Sequence, residues 1–172
     1  SGGVSAGDYD LVPRTLEKMG VECIFHKVCM KPGKPIWFGV FQRPEASPTL
    51  VFGLPGNPVS ALVCFELFVR PALGLLSGQS LEIQSGPHLT ARLVGSVKGS
   101  GDRPVYHPCR LDMSNGSLFV EALQWGGSAD LLGLSRANGL LVLPKNCGDY
   151  HKGDSVEVVP LVSRFRYESE RC

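Results

Sequence analysis

Leu50-Val51-Phe52-Gly53-Leu54-Pro55-Gly56-Asn57-Pro58-Val59-Ser60 runs from an apolar strand through a turn into a helix start. Leu50 to Leu54 predicts a short strand. Pro55-Gly56 turns the chain, Asn57 is a good N-cap, and Pro58 fits the first helical position, where a missing N–H costs little. Val59 to Leu76 then reads as one helix, apolar nearly all round except for the i,i+4 pair Glu66 and Arg70, which predicts a core helix. Upstream, Glu22 to Met30 and Ile36 to Phe41 read as strands joined by the turn Lys31-Pro32-Gly33-Lys34-Pro35. Asp10 to Met19 predicts a helix, with Val12, Leu16 and Met19 on one face and Gly20 as the stop. The Gly-rich stretch Ser1-Gly2-Gly3-Val4-Ser5-Ala6-Gly7-Asp8-Tyr9-Asp10 leads into that helix. Strands alternating with helices argue for an α/β layer, where ligands gather at the carboxyl ends of strands.

Three of these turns share a chemistry. Glycines, small hydroxyls or lysines stand where backbone N–H groups and cations are offered to an anion. Together they predict a site for a phosphorylated ligand.

After Ser77-Gly78-Gln79-Ser80 the helical patterning stops, apart from one short turn near Leu131. Five β-rich runs follow: Leu89 to Val97, Val105 to Leu111, Ser117 to Trp125, Gly139 to Leu143 and Ser155 to Val162. Turn residues such as Ser114-Asn115-Gly116 separate them, which predicts a small barrel or sandwich. The expected boundary lies within Ser77 to Pro87, giving an α/β subdomain over 1–80 and an all-β subdomain over 81–172. Tyr167 to Cys172 reads as a frayed tail.

Composition narrows the partners. The 172 residues carry net charge +1; residues 1–77 hold seven Lys/Arg against six Asp/Glu, and 78–172 hold ten against ten. Neither half is a general polyanion binder, so nucleic acid is not expected. No run of eighteen apolar residues without a charge occurs and no signal peptide is visible, so no membrane association is expected. The six cysteines show no zinc-ligand spacing and are expected as reduced thiols of a cytoplasmic protein.

The residues alone leave several roles open. Asp10 at a helix start is most often an N-cap. Lys31 and Lys34 could be a solvated hairpin turn, although two prolines stiffen it. Asn57 and Pro58 read as structural caps, Ser128 as part of a flexible Gly-rich loop, and Cys109 as core. His26, His88, His107 and His151 match no metal spacing. Neither a P-loop nor a dinucleotide fingerprint is present.

The three motifs Ser1 to Asp10, Lys31 to Pro35 and Leu54 to Ser60, in this order and at about this spacing, resemble the SGGVSxGDYD, KPGKP and LPGNPVS stretches of molybdopterin molybdotransferases. This is the MoeA family, to which the E domain of gephyrin and the plant molybdenum insertase belong. Gly126-Gly127-Ser128 and Ala137-Asn138-Gly139-Leu140 resemble its Gly-Ser loop and ANGL strand. The resemblance implies a partial three-layer α/β molybdopterin-binding subdomain followed by a C-terminal β-barrel, as part of a longer dimeric protein whose feeding strand and upstream carboxylates this chain lacks. The chain by itself is therefore expected to be inactive. The implied reaction is insertion of molybdate into adenylylated molybdopterin with release of AMP; the alternatives are a non-catalytic, gephyrin-like scaffold or a phosphate-binding module.

Carried over by position, the resemblance implies catalytic roles for Asp10, Lys31 and Lys34, with Asp10 also organising Mg²⁺. It implies substrate binding by Gly2, Gly3, Ser5, Lys27, Pro35, Pro55, Gly56, Asn57, Arg110 and Ser128. Arg110 corresponds to the last arginine of an FLRVRL-like strand, whose first arginine is Pro108 here, so nearby Arg103 competes for the same role.

Overall fold

The helix expected over Asp10 to Met19 forms as α1 (Leu11–Lys18) in a computed structural model that describes residues 11–80 and 88–161. Gly20 ends it in the left-handed region, at φ +85°, which glycine adopts without a Cβ clash. Three strands follow, β1 (Val21–His26), β2 (Trp37–Arg43) and β3 (Ala46–Gly53), paired antiparallel in that order. The first strand stops at His26 rather than running on to Met30. Lys27 turns the chain at φ +70°, and its N–H donates to the Ile36 carbonyl at 2.9 Å.

One face of this sheet is an aromatic ladder. Phe25, Phe38 and Phe52 follow one another across the strands at centroid separations of 5.3 and 4.7 Å, and Phe25 meets Phe68 of the following helix at 6.0 Å. Such cross-strand ring pairs add to the area they bury. Gly39 lies against the Trp37 ring; a Cβ there would come within 2.4 Å of it and 2.6 Å of the Glu22 carbonyl.

That helix, α2 (Pro58–Leu76), runs continuously for 19 residues, with a π-helical turn at Phe65–Val69. One expectation about it is corrected. It is not buried all round: Val59, Val63 and Cys64 are fully buried, whereas Leu73 and Leu76 are 51% and 69% exposed. Only its first turns are covered on the far side by the second half of the chain. Its mean hydropathy of 1.8 also makes it long and apolar enough, by length and composition, to cross a membrane, with a third of it buried in the protein. The two charges within it pair with each other, with Arg70 Nη2 donating to Glu66 Oε1 at 2.8 Å.

The five expected strands of the second half form β4 (Leu89–Leu93), β5 (Val105–Ser114), β6 (Ser117–Ala122), β7 (Gly139–Leu143) and β8 (Ser155–Pro160). They close a barrel in the order β4-β6-β5-β7-β8, with β8 pairing back to β4. Asn115 and Gly116, both at positive φ, make the tight β5–β6 hairpin, a turn whose twist matches its strands. All pairings are antiparallel except β4–β6, which is parallel. A short helix, α3 (Leu131–Ser135), stands between β6 and β7. The fold is α/β plus all-β, with a closed five-stranded barrel.

There are two hydrophobic cores. One fills the barrel and includes Leu93, Cys109, Leu111, Val120, Leu141 and Val158. The other lies between the halves: Met30, Val59 and Val63 pack with Leu134, Ala137, Leu140 and Leu161. The five described cysteines are unpaired, and burial pushes the thiols of Cys64 and Cys109 up to about 12, so neither is a nucleophile at neutral pH.

Candidate functional site

The seam between the halves opens into a cleft of about 490 Å³. Its first wall is the turn Lys31 to Pro35. Gly33 sits at φ +107° with its carbonyl accepting from the Cys64 thiol at 3.5 Å; a Cβ here would lie 2.7 Å from that sulfur. The turn is thus seated on α2. It is also bonded to the barrel: the Lys31 N–H donates to the Pro104 carbonyl at 2.9 Å, and the Tyr106 N–H donates to the Lys31 carbonyl at 2.8 Å. A turn held from both sides is not a solvated hairpin tip. Lys31 and Lys34 are exposed into the open cleft.

The second wall is the start of α2, with Pro55, Gly56, Asn57 and Ser60. First-turn N–H groups lack intrahelical acceptors and favour negative charge. Asn57 occupies the N-cap position, but its side chain makes no cap hydrogen bond. Instead Nδ2 donates to Ser128 Oγ at 3.0 Å. The capping role expected of its side chain is therefore corrected. Ser60 is 4% exposed and is the one buried polar residue among those described.

The third wall comes from the barrel half and consists of Arg103, Trp125 and Ser128. The loop bearing Ser128 is anchored, not a flexible linker. Asp130 accepts from the N–H groups of Gly126 and Gly133, each at 2.9 Å, and these bonds hold its carboxyl below the usual range. Trp125 meets His107 edge-on at 5.3 Å. His107 Nε2 donates to the Leu123 carbonyl at 2.8 Å, and burial pulls the imidazole below its ordinary value.

Lys31, Lys34 and Arg103 thus converge on one opening, with hydroxyls from Ser60 and Ser128 and no carboxylate among the described lining residues. Such a cleft attracts an oxyanion and repels a cation.

Of the residues expected at the site, Lys31, Lys34, Pro35, Pro55, Gly56, Asn57 and Ser128 line this cleft. Two others do not. Lys27 is exposed at the end of β1. Arg110 points outward from β5 opposite Glu121, because Cys109 and Leu111 beside it face the barrel core and side chains alternate along a strand. Arg103, just before β5, reaches the cleft in its place. Gly2, Gly3, Ser5 and Asp10 lie outside the described residues. Sequence reasoning missed Ser60, Trp125 and Asp130. Ser60 was readable as the last residue of the Leu54 to Ser60 motif and Asp130 as an N-cap before the turn near Leu131; Trp125 had no local signal.

Residues 1–74 match the family described as "Probable molybdopterin binding domain", and residues 90–161 match "MoeA C-terminal region (domain IV)". The chain belongs to the MoeA family. Among relatives, gephyrin of Dictyostelium discoideum is 38% identical over 92% of this chain and 24% of its own length. The molybdopterin molybdenumtransferase of Bacillus subtilis is 32% identical over 92% of this chain and 35% of its own length. The structure of a molybdopterin biosynthesis MoeA protein from Pyrococcus horikosii is similar at a TM-score of 0.67 and 28% identity, over 88% of this chain and 35% of that one. This MoeA-family chain therefore spans between a quarter and about a third of the length of these relatives.

Proposed function

We propose that this chain forms the oxyanion-holding part of a molybdenum cofactor biosynthesis enzyme, a molybdopterin molybdenumtransferase that inserts molybdate into adenylylated molybdopterin and releases AMP. The observation that carries the proposal is the convergence of Lys31, Lys34 and Arg103 on a cleft whose described lining residues include no carboxylate, with Asp102 Oδ1 beside Arg103 Nε at 3.4 Å. Molybdate is a dianion and the adenylylated substrate carries a pyrophosphate; each is held best by fixed cations and N–H or O–H donors. The names of the relatives, molybdopterin molybdenumtransferase and gephyrin, support the same assignment.

In this reading Lys31 and Lys34 hold the charged groups, Arg103 grips an oxyanion in a forked geometry, and Ser60 and Ser128 supply neutral donors. Gly2, Gly3 and Ser5 complete the phosphate cradle. Residues 1–80 act as the molybdopterin-holding subdomain and 81–172 as the barrel that closes it. Mg²⁺ at Asp10 belongs to the same proposal. No group of three His, Cys, Asp or Glu among the described residues could hold a metal, so its remaining ligands would come with Asp10 from outside that set. The working form is a cytoplasmic homodimer of the longer protein, without nucleic acid or membrane partners, and the 172-residue chain alone is inactive.

The test is calorimetric binding of molybdate and of adenylylated molybdopterin to the full-length protein, alongside AMP release. Lys31→Ala is expected to lose affinity for both. Asparagine suits a helix start as well as aspartate does, so in Asp10→Asn substrate binding should survive while AMP release falls. Unchanged AMP release in Asp10→Asn would remove Asp10 from the catalytic set.

A further inference from the structure

Asn57 and Ser128 come from opposite halves of the chain, and their contact has a direction. The amide Nδ2 donates and the serine oxygen accepts, at 3.0 Å. A serine hydroxyl has one hydrogen to give and two lone pairs to fill. With the amide on its oxygen, its own proton remains unassigned. That proton sits in a cleft whose other polar groups include Lys31, Lys34 and Arg103. Among the described residues the one hydrogen bond of the Ser128 hydroxyl is this one, in which it accepts.

The backbone around Ser128 does not depend on this contact, because Asp130 independently ties Gly126 and Gly133. Nor does α2 depend on it, since the Asn57 side chain makes no cap bond. What the contact controls is the rotation of one hydroxyl.

We propose that Asn57 is a positioning residue: it occupies the acceptor side of Ser128 and so turns the Ser128 proton into the cleft, where it donates to a bound oxyanion. This rests on the oxyanion reading given above. Its consequence is a polarity rule, in which position 57 must donate to Ser128. Asparagine does so; aspartate, an acceptor only, would take the Ser128 proton for itself.

The experiment is titration of the full chain with tungstate, a tetrahedral dianion, followed by calorimetry, with melting temperatures as the fold control. Asn57→Ala is expected to weaken binding about three- to tenfold, the scale of one neutral hydrogen bond, with no change in melting temperature. Asn57→Asp should weaken it further while folding equally well, since aspartate also suits an N-cap position. The double variant Asn57→Ala/Ser128→Ala should bind no worse than Ser128→Ala alone, because Asn57 acts only through Ser128. Additive losses, or an Asn57→Asp variant that binds like the unsubstituted chain, overturn the positioning role and leave the oxyanion reading intact. Failure of the unsubstituted chain to bind tungstate overturns the oxyanion reading and this proposal with it.

Discussion

The two hydrophobic cores are built on different principles, although one strand feeds both. Leu140 and Leu141 are neighbours on β7 and both fully buried. Leu141 points into the barrel, whose core draws only on the second half of the chain. Leu140 points the other way, into the seam, where its partners include Met30, Val59 and Val63 from the first half. The barrel core makes a scaffold. The seam core holds in register the turn, helix start and loop that line the cleft. Burial of similar size therefore serves stability in one place and site geometry in the other.

Separating these roles is the largest test. Leu140→Ala and Leu141→Ala should each cost about 2–5 kcal/mol in urea unfolding, the range for a buried leucine. Only Leu140→Ala should also weaken tungstate binding in the molecules that remain folded. Equal binding losses in both variants would show that the cleft depends on the barrel core as much as on the seam.

Next in size are the cations the seam presents. Lys31→Ala, Lys34→Ala and Arg103→Ala each remove one charge-assisted bond, worth about 1.5–3 kcal/mol, so affinity for the anion should fall ten- to a hundredfold while the melting temperature barely moves. Lys→Arg should rescue only in part, since a planar fork does not replace a compact ammonium. A large drop in melting temperature would instead mark these side chains as structural.

A smaller effect comes from His107, at the seam beside Trp125. Burial lowers its folded pKa, so the fold holds it neutral while the unfolded chain takes up a proton near pH 6.5. Its contribution to stability is thus present above about pH 6.5 and is lost as pH falls from there toward the folded value, by at most about 1.4 kcal/mol per pH unit. His107→Gln keeps a donor for the Leu123 carbonyl and should flatten this acid-side loss in unfolding titrations at pH 7 and pH 5. An unaltered slope would assign the acid sensitivity to other groups.

The smallest expected effect is Arg110→Ala. An outward-facing barrel side chain away from the cleft should change stability by no more than about 0.5 kcal/mol and leave tungstate affinity within twofold. A tenfold loss would return Arg110 to the site and displace Arg103.

The sequence by itself determined the elements whose causes are local. Apolar alternation and turn chemistry placed all five barrel strands, the Asn115-Gly116 hairpin and the junction from β3 through Pro55-Gly56 into α2. The motif order identified the family and brought seven of the cleft residues into one group. Tertiary structure decided what depends on which surfaces meet. The short turns of the first half already imply antiparallel neighbours, but β4 closes the barrel beside β6 in parallel, a choice that no window of sequence contains. The apolar pattern of α2 is equal on all sides, so only the partner covering Val59 and Val63 decides that its first turns are buried while Leu73 and Leu76 are exposed. Asn57 has the chemistry of a cap, yet its amide turns to Ser128, 71 positions away in sequence, because the seam brings the two halves together there. Arg103 and Arg110 are equivalent in composition. Strand alternation sends Arg110 out beside Glu121, while the bond from Lys31 to Pro104 draws the neighbouring Arg103 to the cleft.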